Sequence, residues 1–275
     1  MKYNRVLVWF RNDLRVSDNE TLCKAIQLGK EIIPVYVLDP RQFDTLEIGF
    51  PKTGKFRAQF LLESITDLRE SFQELGADLL ILQGKPEEAL ADLASKVTAD
   101  AIFFSKEVTS EERKAEEALE KAAFAMGIPV ESFWQSTLYH KDDLPFPISQ
   151  TPEVFTHFRK EVEKLSKVRR TYPSPSRINF AKDVDISPGD IPTLKKLGLE
   201  EPKPESKSWM KVKGGERSAF GRLQSYFWEK DLLKSYKETR NGLIGMDYSS
   251  KLSPWLALGC ISSRTIFEEV KKYER

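Results

Sequence analysis

Two hydrophobic periodicities alternate through the first 134 residues, and this alternation narrows the fold more than any other feature of the chain. Short apolar runs recur at 5–10, 31–38, 78–83, 100–105 and 128–134. Several are rich in Val, Ile and Phe at consecutive positions, the pattern of strands buried on both faces. Helix-period segments lie between them. The first starts near Ser17 or Asp18, either of which could cap it, and stops before Gly29. The second covers 55–75, with Phe60, Ser64, Leu68 and Phe72 on one stripe and Gly76 as its stop. The third opens after Pro86, where Glu87 and Glu88 suit a helix N-terminus. The fourth runs from Thr109 and Ser110 to Gly127. Strand–helix alternation of this length predicts an α/β domain with a five-stranded parallel, doubly wound sheet, helices covering both faces.

The pattern then changes. A helix is expected at 152–167, with Thr151 as its cap and Pro152 at its first position. Residues 169–208 hold six of the 15 prolines and read as a long connector laid over a surface. From Gly215 to Leu233, and again from Ser253 onward, the pattern is helical. At roughly 150 residues per domain, 275 residues suggest two domains or one large one.

Composition excludes several classes. With 40% hydrophobic and 11% aromatic residues the chain can build a core and is not disordered. The two cysteines, Cys23 and Cys260, form no CxxC, and only His140 and His157 are present, so no metal site is expected. No apolar run reaches membrane-spanning length, and the N-terminus enters a strand-like RVLVWF without a leader pattern; a reducing, cytoplasmic setting is expected. Charge is uneven. Residues 1–150 carry 18 Lys and Arg against 25 Asp and Glu, a balance of −7, while residues 151–275 carry 25 against 17, a balance of +8. A basic C-terminal part suits a polyanion, or simply solvates exposed helices.

The strand ends are where a doubly wound sheet binds ligands, yet the usual phosphate motifs are missing. No GxGxxG follows the first strand, and Thr53-Gly54-Lys55 is followed by Phe56 rather than Ser or Thr. Three loops remain. Arg11, Asp13, Arg15 and Asp18 crowd eight positions after the first strand; they could form a charged turn with a helix cap, anchor a connector at the sheet edge, or line a crevice. Glu107, Glu111 and Glu112 after the fourth strand could accept hydrogen bonds from the N–H groups of a heterocycle, or form an ordinary acid-rich helix start. Ser249, Ser250, Lys251 and Ser253 gather where Ser253 would cap a helix and Pro254 would open it. That is an anion site suited to a phosphate or pyrophosphate, or a serine-rich loop with a standard cap.

Four long motifs carry a resemblance. WFRNDLRVSDN at 9–19, KTGKFRAQFLLESITDLRE at 52–70, TLYHKDDLPF at 137–146 and YKETRNGLIGMDYSSKLSPWLALGCISSR at 236–264 resemble the photolyase/cryptochrome family. RAQFLLES, YKETRNGL and EVTSEE at 107–112 resemble its DASH cryptochrome branch in particular. The resemblance implies an α/β antenna domain at 1–134, an interdomain connector at 135–210, and the beginning of an all-helical FAD-binding domain at 211–275. It implies FAD as cofactor, with Tyr236 in the flavin pocket and Ser249, Ser250, Lys251, Leu252 and Ser253 on the flavin phosphates. It further implies Arg240 near DNA phosphates, and Glu107 or Glu111 at an antenna pterin, methenyltetrahydrofolate.

In this family reduced FAD, excited by blue light, donates an electron that splits a cyclobutane pyrimidine dimer and then returns. The activity implied is that of a deoxyribodipyrimidine photo-lyase, a carbon–carbon lyase acting on single-stranded DNA. Family members continue further, and that part supplies most of the flavin pocket, the electron-transfer tryptophans and most of the lesion pocket. The catalytic residues are therefore expected beyond residue 275, the chain alone is expected to be inactive, and it reads as part of a longer protein rather than as a naturally shortened paralogue, the other reading. Trp9, Trp134, Trp209, Trp228 and Trp255 do not fall in the family's electron-transfer motifs. Two alternatives stand beside repair: a flavoprotein photoreceptor that binds nucleic acid without repairing it, and a stand-alone nucleotide- or pterin-binding α/β module.

Overall fold

A computed structural model describes residues 1–181, 186–202 and 212–275. The alternating part folds as β1 (Tyr3–Phe10), α1 (Glu20–Leu28), β2 (Gly29–Leu38), α2 (Lys55–Glu74), β3 (Leu80–Gln83), α3 (Pro86–Lys96), β4 (Ala101–Ser105), α4 (Ser110–Ala125) and β5 (Val130–Phe133). The strands form one sheet in the order β3-β2-β1-β4-β5, and all four pairings are parallel. Trp9 in the central strand stands beside Val35 on one side and Phe104 on the other.

The continuous apolar runs are explained by two cores. Val6, Val8 and Phe10 point to one face, where Leu22 of α1 and Ile65, Leu68 and Phe72 of α2 cover them. Leu7 and Trp9 point to the other, under Leu90 and Leu93 of α3 and Leu119 of α4. Edge-to-face ring pairs lock each layer, Phe10 with Phe72 at 5.3 Å and Trp9 with Phe104 at 5.5 Å. Truncating Phe72 to Ala would cost about 3–5 kcal/mol.

Two expected caps are corrected. Asn19, not Ser17 or Asp18, caps α1: its side-chain oxygen accepts from the Leu22 N–H at 3.0 Å. Asp18 sits at φ +46°, and its carboxylate is committed elsewhere. The helix expected from Pro152 begins later, as α5 (Phe155–Leu165), without a side-chain cap. Thr151 instead donates to the Ile148 carbonyl at 2.7 Å, closing a 3-10 turn that ends before the helix can start.

The connector runs along the sheet. Ile178 donates to the Leu75 carbonyl, Ile32 of β2 to that of Asn179, and Ile81 of the edge strand β3 to that of Pro188. It thereby covers backbone groups that an edge strand leaves open. The expected boundary between residues 210 and 211 lies outside the described residues, as does Trp209.

Beyond it come α6 (Glu216–Gln224), a π turn at Ser225–Glu229, α7 (Tyr236–Thr239), α8 (Ser253–Ala257) and α9 (Ser263–Tyr273). Ala219, Leu223, Tyr226, Phe227 and Trp255 enter the same core as α1 and α2, and Phe60 of α2 meets Trp255 at 5.9 Å. Among the described residues no helix is long and apolar enough to cross a membrane, and no group of three or more His, Cys, Asp and Glu is placed to hold a metal ion.

Candidate functional site

The loop after β1 is a buried charged joint. Asp18 binds Arg264 of α9 through two contacts, 2.7 and 2.9 Å. It also accepts from the Ser262 hydroxyl at 2.5 Å and from the Tyr172 N–H at 2.9 Å. Arg15 donates to the Gly259 carbonyl at 2.9 Å, and Glu216 of α6 accepts from the N–H groups of Val16 and Ser17. Asp13 accepts from the Arg11 N–H within the loop and from the Gln135 side chain beyond β5. Burial raises the carboxyl pKa of both Asp13 and Glu216 and lowers the guanidinium pKa of Arg15. A Cβ at Gly259, whose φ is +64°, would come within 2.0 Å of the Asn12 carbonyl oxygen, so only glycine permits this approach. Of the uses left open for this loop, anchoring is the one that Arg15 and Asp18 serve.

Arg11 takes part in the remaining use. Its guanidinium stacks 4.4 Å from the Trp9 ring and binds the fully buried Glu116 at 2.5 Å. Both Trp9 and Arg11 line a cavity of about 390 Å³ at the C-terminal ends of β1 and β2. Tyr36, Lys52, Arg57 and Leu258 also wall it. Polar groups thus converge on an aromatic wall, as planar heterocycles require. A second cavity of about 450 Å³ lies at the opposite strand ends, beside Met1, Ile26 and Gly29. Its walls are mainly apolar, and it is far from the ligand-binding edge of such a sheet.

The structure brings Glu111 to the first cavity, where it pairs with Lys52. Glu107 stands next to that wall rather than in it. Its carboxylate accepts from the Asn12 side chain at 3.2 Å, and burial raises its pKa.

The serine-rich segment departs from expectation. Leu252 occupies the cap position of α8, so Ser253 is the first helical residue and caps nothing. The reason is packing: Leu252 is buried in the core in a right-handed conformation, which starts the helix one residue early. With five residues, α8 contributes little dipole. What organises the segment instead is Arg222 of α6, which sequence reasoning missed. It donates to the carbonyls of Met246, Ser249 and Ser250. The Ser249, Ser250 and Ser253 hydroxyls have no hydrogen-bond partner among the described residues and are at least partly exposed. Such free donors fit the oxygens of a pyrophosphate. Tyr236 and Arg240 lie on and just after α7, both exposed, and Thr239 ties that turn to the segment through the Tyr248 carbonyl at 3.0 Å. Tyr236 forms no hydrogen bond to residues 249–253 among those described.

The two regions are close along the chain. Leu258, on the cavity wall, is five residues beyond Ser253. A doubly wound domain with a cavity at its strand ends, sharing its core with a helical segment, defines an α/β protein with a helical extension. Residues 6–176 match the family model for DNA photolyase. Over 274 residues the chain is 50% identical to the cryptochrome DASH of Gloeobacter violaceus, covering 100% of this chain and 54% of that protein. It is 48% identical to the chloroplastic/mitochondrial cryptochrome DASH of Arabidopsis thaliana, covering 98% and 47%. The crystal structure of the Synechocystis sp. PCC6803 cryptochrome superposes with a TM-score of 0.94 at 44% identity, over 100% of this chain and 57% of that one. The chain belongs to the photolyase/cryptochrome family, in its DASH branch. It spans about half the length of the curated relatives it matches.

Proposed function

We propose that this chain provides the antenna domain, the connector and the first part of the flavin-binding domain of a light-driven pyrimidine-dimer photolyase acting on single-stranded DNA. Residues 1–134, 135–210 and 211–275 are the three parts in this reading. When bound, FAD supplies the photoexcited electron donor. The roles of the chain's own residues are to bind and orient. Ser249, Ser250, Lys251, Leu252 and Ser253 form the segment that takes the flavin phosphates, and Tyr236 flanks the flavin. Arg240, exposed at the end of α7, meets a DNA phosphate. The cavity at the strand ends takes methenyltetrahydrofolate as antenna, with Glu111 on its wall and Glu107 beside it. Cytoplasmic placement belongs to the same reading.

One observation carries it: the free hydroxyls of the serine segment sit on a loop locked by Arg222, five residues from the wall of the antenna cavity. The test is a visible absorption spectrum of the protein expressed from its complete gene, followed by illumination with a single-stranded oligonucleotide containing one cyclobutane dimer. Flavin absorption and light-dependent loss of the dimer are expected. Flavin without dimer loss would favour the photoreceptor reading, and neither flavin nor dimer loss would favour a stand-alone ligand-binding module.

A further inference from the structure

Arg222 grips its loop mainly through backbone carbonyls, with one side chain, Asp247, at longer range. Its Nη2 donates to the Met246 carbonyl at 2.5 Å and the Ser249 carbonyl at 3.0 Å, and its Nε to the Ser250 carbonyl at 2.8 Å. Nη1 reaches Asp247 at 3.4 Å, and the guanidinium lies 5.1 Å from the Tyr226 ring centre. The side chain is only 9% exposed. A trans peptide keeps its carbonyl and the following N–H in one plane, pointing in opposite directions. Three carbonyls turned onto the guanidinium therefore turn the N–H groups of Asp247, Ser250 and Lys251 away from it. Lys251, at φ +55°, then precedes the right-handed Leu252, an alternation that directs successive N–H groups to one concave side.

The helix that carries Arg222 is itself fixed to the sheet domain. Glu216 holds the Val16 and Ser17 N–H groups, while the Gly214 and Gly215 N–H groups donate to Glu63 and Ser64 of α2 at 2.7 and 3.0 Å. A Cβ at Gly214 would fall 2.2 Å from the Phe60 carbonyl oxygen, so the start of α6 is seated directly on α2. From Glu216 to Arg222 is about 9 Å of helix.

We propose that Arg222 is the positioning residue of the flavin-phosphate segment: it holds residues 246–250 from behind, so that the N–H groups of Asp247 and Ser250 face the pyrophosphate, and through α6 it sets their place relative to the loop after β1. This rests on the reading that residues 249–253 take the flavin phosphates. A bidentate guanidinium suits the task, since it organises several acceptors in one plane where an ammonium gives a single point.

The test uses the protein expressed from its complete gene, as Arg222→Gln, Arg222→Lys and the double variant Ser249→Ala with Ser253→Ala. Two quantities are read: the rate of FAD release after dilution, and amide hydrogen exchange over 246–251 in flavin-free protein. Arg222→Gln is expected to accelerate both by about tenfold or more, several charge-assisted bonds being lost together, with exchange in β1 unchanged. Arg222→Lys is expected to fall between wild type and Arg222→Gln for FAD release. The serine pair should release FAD faster while its loop exchanges as in wild type, which separates holding the loop from holding the ligand. If the serine pair accelerates release and Arg222→Gln does not, the positioning role is wrong and the phosphate site stands. If neither changes release, the phosphates lie elsewhere and the inference falls with that reading. Should β1 exchange show that Arg222→Gln has unfolded, the Arg222→Lys release rate decides by the same criteria.

Discussion

The carboxylate of Asp18 and the guanidinium of Arg264 meet in two contacts of 2.7 and 2.9 Å, buried to 1% and 4% exposure, across 246 residues of chain. Each charge is desolvated, and each depends on the other. The pair is flanked by the Ser262 hydroxyl and the Tyr172 N–H, so one carboxylate joins the first loop of the sheet, the connector and α9. Its removal tests whether the three parts fold as a unit.

Arg264→Leu should lower stability by about 3–5 kcal/mol, because Asp18 is left as a buried charge without its partner. Adding Asp18→Asn should recover part of that loss, so that the double variant is more stable than Arg264→Leu alone. Urea unfolding followed by tryptophan fluorescence measures both. A loss below about 1 kcal/mol for Arg264→Leu would mean that the pair is solvated in solution.

The carboxyl of Glu107 titrates above its ordinary value because burial penalises its charged form more than Arg11 and Asn12 favour it. A raised carboxyl pKa gives stability that is present below the unfolded value near 4.5 and lost as pH rises through the folded value. Glu107→Gln, which cannot ionise, should therefore melt higher than wild type at pH 7.5, by roughly 2 °C. The difference should vanish near pH 4. Melting curves at four pH values decide, and an advantage that grows toward acid would reverse the assignment.

If residues 249–253 take the flavin phosphates as proposed, they should by themselves hold FAD weakly. Each charge-assisted hydrogen bond contributes on the order of 1.5–3 kcal/mol, against roughly 4–15 kcal/mol of lost translational and rotational freedom. The 275-residue chain is expected to purify essentially colourless. A longer chain that includes the rest of the family's helical domain should be yellow, and should lose flavin when Ser249 and Ser253 are both changed to Ala. Stoichiometric FAD in the 275-residue protein would refute this.

DNA affinity of the 275-residue chain should be electrostatic, since the +8 balance lies in residues 151–275. It should fall steeply with salt and show little preference for a dimer over an undamaged strand, phosphate contacts carrying no base information. Arg240→Ala should reduce the slope of log affinity against log salt by about 0.7 for a single strand. Binding measured by fluorescence anisotropy at several salt concentrations tests it, and an unchanged slope would remove Arg240 from the phosphate contacts.

The sheet was legible because its cause is local and repeated. Consecutive apolar residues such as Val6, Leu7, Val8, Trp9 and Phe10 have to be buried on both faces, and only helices on either side achieve that. Gly76 and Gly127 mark helix ends for a backbone reason as local as the strands, each adopting a positive φ. The four motifs at 9–19, 52–70, 137–146 and 236–264 likewise carried the family resemblance.

The partnerships were decided by tertiary structure alone. Among 43 cations and 42 anions, nothing in the order of residues selects Arg264 for Asp18 or Glu216 for the backbone of Val16 and Ser17. Ser253 has the residue type of a cap, yet burial of Leu252 one position earlier displaced the start of α8. Arg222 was invisible for a deeper reason. Its three shorter contacts in the loop are to carbonyl oxygens of Met246, Ser249 and Ser250, which every residue type possesses. Side-chain identity therefore fixes which segments are buried and which can cap or charge a loop, while the meeting of distant backbone and charged groups depends on how those segments pack.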